Sequence, residues 1–167
     1  MGRKKLNGSA VLLKGLITVL AVLTLATASW AASQAADFTL PSVLDGKSYS
    51  LSQFRGKVVL VNFFTFFCGP CREEMPSLNQ IYNENKGSGY VTIGIGLASN
   101  PTQLRFLVKQ LGLDYPVLVG DDKVAKAYGD VEVVPTTFII DKSGNVVQKI
   151  VGTRSKDDFL KMIRPLL

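Results

Sequence analysis

The chain contains no histidine. That excludes histidine-based nucleophilic or acid–base catalysis and any metal site with an imidazole ligand. Only two cysteines occur among the 167 residues, and two thiolates fall short of the four ligands of a structural zinc site. No acidic residue precedes Asp37, so the formal charge of +6 is weighted to one end. Arg3, Lys4, Lys5 and Lys14 are four of the 19 basic residues; without residues 1–31 the remaining 15 face 13 acids. The body of the chain is therefore close to neutral. It carries no basic stripe and gives no ground for nucleic-acid binding. Internal repeats and low-complexity tracts are also missing.

What the N-terminal end does have is the anatomy of an export signal. A basic start is followed by an apolar stretch over 15–25 and then by small residues. Cleavage fits after Ala31 or after Ala28. The alternative is an uncleaved N-terminal membrane anchor over 11–28, which has to tolerate Lys14 near one edge. No cysteine lies nearby to carry a lipid. Both readings place the rest of the chain outside the cytoplasm. Residues 32–37 are expected to be a polar linker, and 38–167 a single domain long enough for a real core.

The stretch 58–76 organises that domain. Residues 58–64 form an apolar run rich in β-branched and aromatic side chains, the pattern of a buried strand. It ends at Cys68-Gly69-Pro70-Cys71, where a helical pattern begins with Met75, Leu78, Ile81 and Tyr82 on one face. Pro76 is expected to kink that helix. A Cys-x-x-Cys at a strand-to-helix junction, with a further strand following at 91–96, points to redox chemistry. Two sulfurs three positions apart in a first helical turn can close a short disulfide. Cys68 falls where free N–H groups and the positive helix end favour an anion, which lowers a thiol's pKa and makes it the attacking sulfur. Cys71, one turn further in, is the resolving thiol. Pro70 has no N–H to leave unpaired, and Gly69 lets a partner backbone come close. A loop this short adds little chain-entropy stabilisation, which argues against a purely structural staple. Glu74 lies three residues after Cys71 on the same helix face, where a carboxylate can exchange protons with the thiol.

These residues resemble the active site of thioredoxin-fold thiol–disulfide oxidoreductases, most of all the exported TlpA/ResA-type branch. Its pattern, Asn-Phe-Trp-x-x-Trp-Cys-x-Pro-Cys-[Arg/Lys]-x-Glu-x-Pro, is met by Asn62-Phe63, the Cys68 to Cys71 tetrapeptide, Arg72, Glu74 and Pro76. Phe64 and Phe67 replace both tryptophans. The resemblance covers 38–167. It implies an α/β thioredoxin fold: a central mixed sheet flanked by helices, an N-terminal β-hairpin extension and a central helix/strand insertion. The hairpin fits 38–51 around an Asp45-Gly46 turn. The insertion fits a helix that starts at Asn100-Pro101-x-Gln103, with Leu104, Leu107, Val108 and Leu111 on one face, and a strand at 115–119. A brief helix at 124–128 is capped by Asp121-Asp122, which are caps rather than metal ligands. A hairpin then turns at 141–145, and Ser155-x-x-Asp158 caps a last helix with Phe159, Met162, Ile163 and Leu166 inward.

The resemblance also assigns roles. Glu74 would serve as proton acceptor and donor for Cys71. Val134-Pro135 would form a cis-proline loop facing the cysteines, with Val134 offering its backbone to an extended client. Phe67, Gly69 and Pro70 would complete the client surface. No cofactor is implied. The partners implied are exported proteins with disulfides, for instance in cytochrome c maturation, and a membrane-embedded thiol donor. Two other readings exist. Thr65-Phe66-Phe67-Cys68 fits the Thr-x-x-Cys half of a peroxidase motif, but Val61 stands where its proline is expected. A non-enzymatic binding module on the same fold is the other; copper carriers of that kind pair Cys-x-x-x-Cys with a distant histidine, and both are missing.

Overall fold

The computed structural model describes residues 33–167. The signal or anchor read at 1–31 lies outside them. In chain order come β1 (Thr39–Pro41), β2 (Ser48–Ser50), a 3-10 turn (Leu51–Phe54), β3 (Val58–Thr65) and α1 (Gly69–Asn85). Next are β4 (Tyr90–Leu97), α2 (Pro101–Leu111), β5 (Val117–Val119) and α3 (Asp122–Ala127). The chain ends with β6 (Thr136–Ile140), β7 (Val146–Val151), α4 (Lys156–Ile163) and a 3-10 turn (Arg164–Leu166).

Five strands make the main sheet in the order β5-β4-β3-β6-β7. β3, β4 and β5 are parallel, while β6 runs antiparallel to β3 and β7 antiparallel to β6. A parallel neighbour needs a crossover, and α1 and α2 supply the two that build the parallel half. β1 and β2 form a separate antiparallel pair. This is the mixed thioredoxin-like sheet with an added N-terminal hairpin.

β3 is central, with both faces covered, which is why its sequence shows no polar alternation. Val58, Leu60 and Phe64 face α1, while Val59, Val61 and Phe63 face the other way. Asn62 occupies the same parity as Leu60 and Phe64, and so points toward α1. On that side Met75, Leu78 and Ile81 of α1 pack with Leu104 and Leu107 of α2 and Phe159 and Ile163 of α4. The opposite face is closed by Val124 of α3, by Tyr128, and by Phe38, Leu40 and Leu51 of the N-terminal extension. Tyr128 packs against Phe63 and Phe138 at 5.2 and 5.0 Å between ring centres, and its hydroxyl donates to the Ala36 carbonyl at 2.9 Å.

Two expectations need correction. Residues 33–36 are docked instead of forming a free linker. Ala35 N–H donates to Gly144 O at 3.0 Å, Val146 N–H donates to Ser33 O at 2.8 Å, and Ala35 is buried. The β6–β7 turn offers unpaired backbone groups, and a short side chain such as alanine fits beneath it. On α4 the buried set is Phe159, Leu160 and Ile163. Met162 and Leu166 only flank the core, because the helix turns its 159/160/163 stripe to the sheet.

α2 lies very close over β4. A Cβ at Gly96 would meet Leu104 Cδ2 at 2.5 Å and Cδ1 at 2.8 Å, and Leu104 is fully buried. We expect Gly96→Ala to cost about 1–3 kcal/mol through overpacking, read as a lower urea midpoint at unchanged m-value. Tyr115 is fully buried, and its hydroxyl has no hydrogen-bond partner among the described residues. Removing that unpaired group in Tyr115→Phe should raise stability by about 1 kcal/mol, seen in the same unfolding experiment.

Candidate active site

β3 delivers the chain to the start of α1 through a tight turn in which Cys68 N–H donates to Thr65 O at 3.2 Å. The turn is held from the side. Ser99 Oγ accepts the Phe66 N–H at 2.9 Å and donates to Leu97 O at 2.7 Å. Cys68 is the N-cap of α1, its carbonyl accepting from Arg72 N–H at 3.2 Å and its sulfur from Cys71 N–H at 3.2 Å. Pro70 stands in the first turn, where no N–H is needed. Cys68 and Cys71 are joined in a disulfide with Cα atoms 5.3 Å apart.

The two sulfurs are unequal. Cys71 is 1% exposed, whereas Cys68 is half-buried and bordered by the exposed Phe67, Gly69 and Pro70. Only Cys68 can be reached by another protein's sulfur without local opening. In the reduced state the Cys71 N–H that meets its sulfur would stabilise a thiolate there, together with the other free N–H groups of the first turn.

The Val134–Pro135 peptide is cis, and Val134 O lies 3.8 Å from Cys68 Sγ. The loop is carried there by β6, whose first residue, Thr136, is paired with Phe63 near the end of β3. Thr136 Oγ1 donates to Val133 O at 2.7 Å, and Gly152 N–H donates to Pro135 O at 2.8 Å. Among the described residues no backbone group accepts the Val134 N–H. An extended chain lying beside the loop would find a donor there.

Beneath the cysteines sits Glu74, 4% exposed. Asn62 Nδ2 donates to its Oε1 at 3.1 Å, and the Arg154 backbone N–H donates to its Oε2 at 2.8 Å. The Asn62 amide also donates to Thr137 Oγ1 at 2.9 Å. Burial raises the Glu74 pKa above the ordinary carboxyl value, and the hydrogen bonds from Arg154 and Asn62 only partly offset it. The result is a carboxyl group that can change protonation state one helical turn from the buried thiol.

Ser99, Thr137 and the Arg154 N–H carry no local signal in the sequence. They reach the site from 33, 75 and 80 residues away from their partners. Of the earlier candidates, Phe67, Gly69 and Pro70 are exposed, Cys68 and Val134 are half-buried beside them, and Cys71, Pro135 and Glu74 are buried beneath.

Comparison with known proteins gives a consistent picture. The redoxin family profile matches residues 31–163. The thiol–disulfide oxidoreductase ResA of Geobacillus thermodenitrificans is 36% identical over 143 residues, covering 83% of this chain and 81% of that protein. The crystal structure of a thiol:disulfide interchange protein of the thioredoxin family from Chlorobium tepidum superposes with a TM-score of 0.76 at 34% identity. It covers 81% of this chain and 96% of its own. A secreted thiol-disulfide isomerase from Corynebacterium glutamicum gives a TM-score of 0.74 at 27% identity, covering 80% and 84%.

The raised Glu74 pKa has a consequence for stability. Between the unfolded value near 4.5 and the higher native value, the folded protein binds more protons than the unfolded chain. The contribution of Glu74 to stability should therefore fall as pH rises through that window. In Glu74→Gln this slope should vanish, whatever constant cost the substitution carries. Urea midpoints measured from pH 4 upward check this; an unchanged slope would show that the carboxyl is not the titrating group.

Proposed function

This chain belongs to the redoxin family and is a thiol–disulfide oxidoreductase, and from that premise we propose that it reduces disulfides of exported proteins through Cys68 and Cys71. The observation that carries the proposal is the asymmetry of the pair. One sulfur is accessible, at a helix start and beside the cis-proline loop, and the other is sealed one turn deeper.

The reduced enzyme begins with a Cys68 thiolate and a Cys71 thiol. The thiolate attacks one sulfur of a client disulfide, forming a bond from Cys68 to the client and releasing the client's other sulfur as a thiolate. Cys71 then gives its proton to Glu74 and attacks Cys68 Sγ. The bond to the client breaks, the second client thiolate leaves, and the Cys68–Cys71 disulfide forms. Two electrons have passed to the client, and its thiolates take up protons from Glu74 and solvent. Glu74 suits the role because burial favours its protonated form, and the Asn62 and Arg154 donors keep the carboxylate form accessible.

The direction is supported by the Cys-Gly-Pro-Cys tetrapeptide, shared with thioredoxins whose potentials lie around −270 mV. No histidine sits between the cysteines to stabilise the thiolate further. Export is supported by the signal-like 1–31 and by the secreted relative from Corynebacterium glutamicum. A membrane-embedded dithiol donor would return the enzyme to its reduced state, and the haem-site cysteines of apocytochrome c are a suitable client class.

Trapping tests the proposal. In Cys71→Ser the first step proceeds and the second cannot, so exported proteins should accumulate as adducts released by dithiothreitol. Cys68→Ser should form none, and the wild type should reduce insulin. Absence of adducts would refute the exchange mechanism, and a measured potential near −120 mV would reverse the direction.

A further inference from the structure

Most large apolar side chains of the described residues are buried, but three that are not lie around Cys68. Phe67 is 78% exposed, Phe106 58% and Val133 58%. Phe67 directly precedes Cys68. Val133 neighbours Val134, whose carbonyl oxygen lies 3.8 Å from Cys68 Sγ. Phe106 comes from α2 and joins the group through Phe66. The rings of Phe67 and Phe66 meet edge-on at 5.0 Å, and those of Phe66 and Phe106 at 6.4 Å.

The ladder is fixed on both sides. Arg72 of α1 places its guanidinium carbon 6.0 Å from the centre of Phe66 and donates to Gln110 Oε1 on α2 at 2.8 Å. The close seating of α2 on β4, with Leu104 against Gly96, fixes the position of the helix that carries Phe106. The rings therefore form a continuous apolar shelf on a rim that also carries a cation.

A client sulfur bonded to Cys68 comes within about 2 Å of Sγ, so its flanking residues must cross Phe67. In an extended segment paired with the Val134 backbone, side chains two positions apart share a face and are about 6.8 Å apart. That spacing is comparable to the 5.0 and 6.4 Å steps between the rings, so a side chain two positions from the client cysteine can rest on the shelf that starts beside Cys68. Resting on the exchange reading above, we infer that this shelf selects clients with an aromatic or large aliphatic side chain two positions from the reacting cysteine, and that Phe106 is the specificity-determining residue.

Two disulfide-linked peptide dimers test this. One has the strand Gly-Phe-Ala-Cys-Ala-Phe-Gly and the other Gly-Ser-Ala-Cys-Ala-Ser-Gly. The wild type should show a kcat/KM about fivefold higher for the phenylalanine peptide, the gain expected from one added aromatic pair. Phe106→Ser should bring the ratio close to one, and Phe106→Trp should keep it. Because the measure is a ratio within each variant, losses in folding or thiol reactivity cancel. An equal rate for both peptides in the wild type, or an unchanged ratio in Phe106→Ser, would overturn the inference while leaving disulfide exchange intact. Failure of the wild type to exchange with either peptide would refute the exchange reading itself, and this inference with it.

Discussion

The first N–H groups of a helix have no partner within it, and in this protein the sulfur of Cys68 is one of the partners supplied. Everything at the site follows from putting a cysteine where a serine or aspartate cap would ordinarily stand. A cap must lie at the helix mouth, so the sulfur is accessible. It accepts a hydrogen bond from the Cys71 N–H, so its anion is favoured. The residue at the third helical position turns its side chain inward toward the cap, so the second sulfur is near the first yet shielded. The strand that leads to the cap is buried on both faces. Its end is clipped by Ser99, so the mouth of the helix is fixed relative to the sheet.

A buried carboxyl group near this pair would be expensive without donors. The protein meets the cost with two donors from distant segments, Asn62 on β3 and the backbone N–H of Arg154 after β7, and Thr137 on β6 holds the Asn62 amide by accepting its other hydrogen bond. β6 thus has two duties. Its start carries the cis-proline loop to Cys68, and its second residue supports the amide that holds Glu74. A shift of one residue in the β3–β6 register would lose both, because alternate residues face opposite sides of the sheet.

Much of this was legible from local pattern. The β3 run, the Cys-Gly-Pro-Cys junction, the Asn100–Gln103 capping box and the Asp121 and Ser155 caps are short-range signals, and each appears in the fold. The fold class and the cis Val134–Pro135 peptide were legible only through the family pattern, since no rule of composition or spacing demands them. Ser99, Thr137 and the docked segment at 33–36 were not legible at all. Their partners are other parts of the backbone or side chains tens of residues away, and a serine, a threonine or an alanine looks the same in the sequence whether or not such a partner exists. Phe106 escaped for a different reason. It interrupts no pattern, because α2 already has a sufficient inward face in Leu104, Leu107 and Val108.

The two phenylalanines that replace the family's tryptophans show how one substitution type can act in opposite ways. Phe64 is fully buried, and a Cβ added at Gly94 would lie 3.2 Å from its ring. An indole there would need both more room than the phenyl ring and a partner for its N–H, and the close approach at Gly94 leaves little room. Phe67 is on the surface beside Cys68, where an indole N–H could be satisfied by water. Phenyl at that position gives up a directional contact and keeps only apolar area. On the proposed exchange reading, the surface met by a client is thereby shifted from hydrogen bonding toward shape and apolar contact, the character that Phe66 and, on α2, Phe106 extend. The inner replacement serves the packing that holds the sulfurs in place, and the outer one alters what those sulfurs meet.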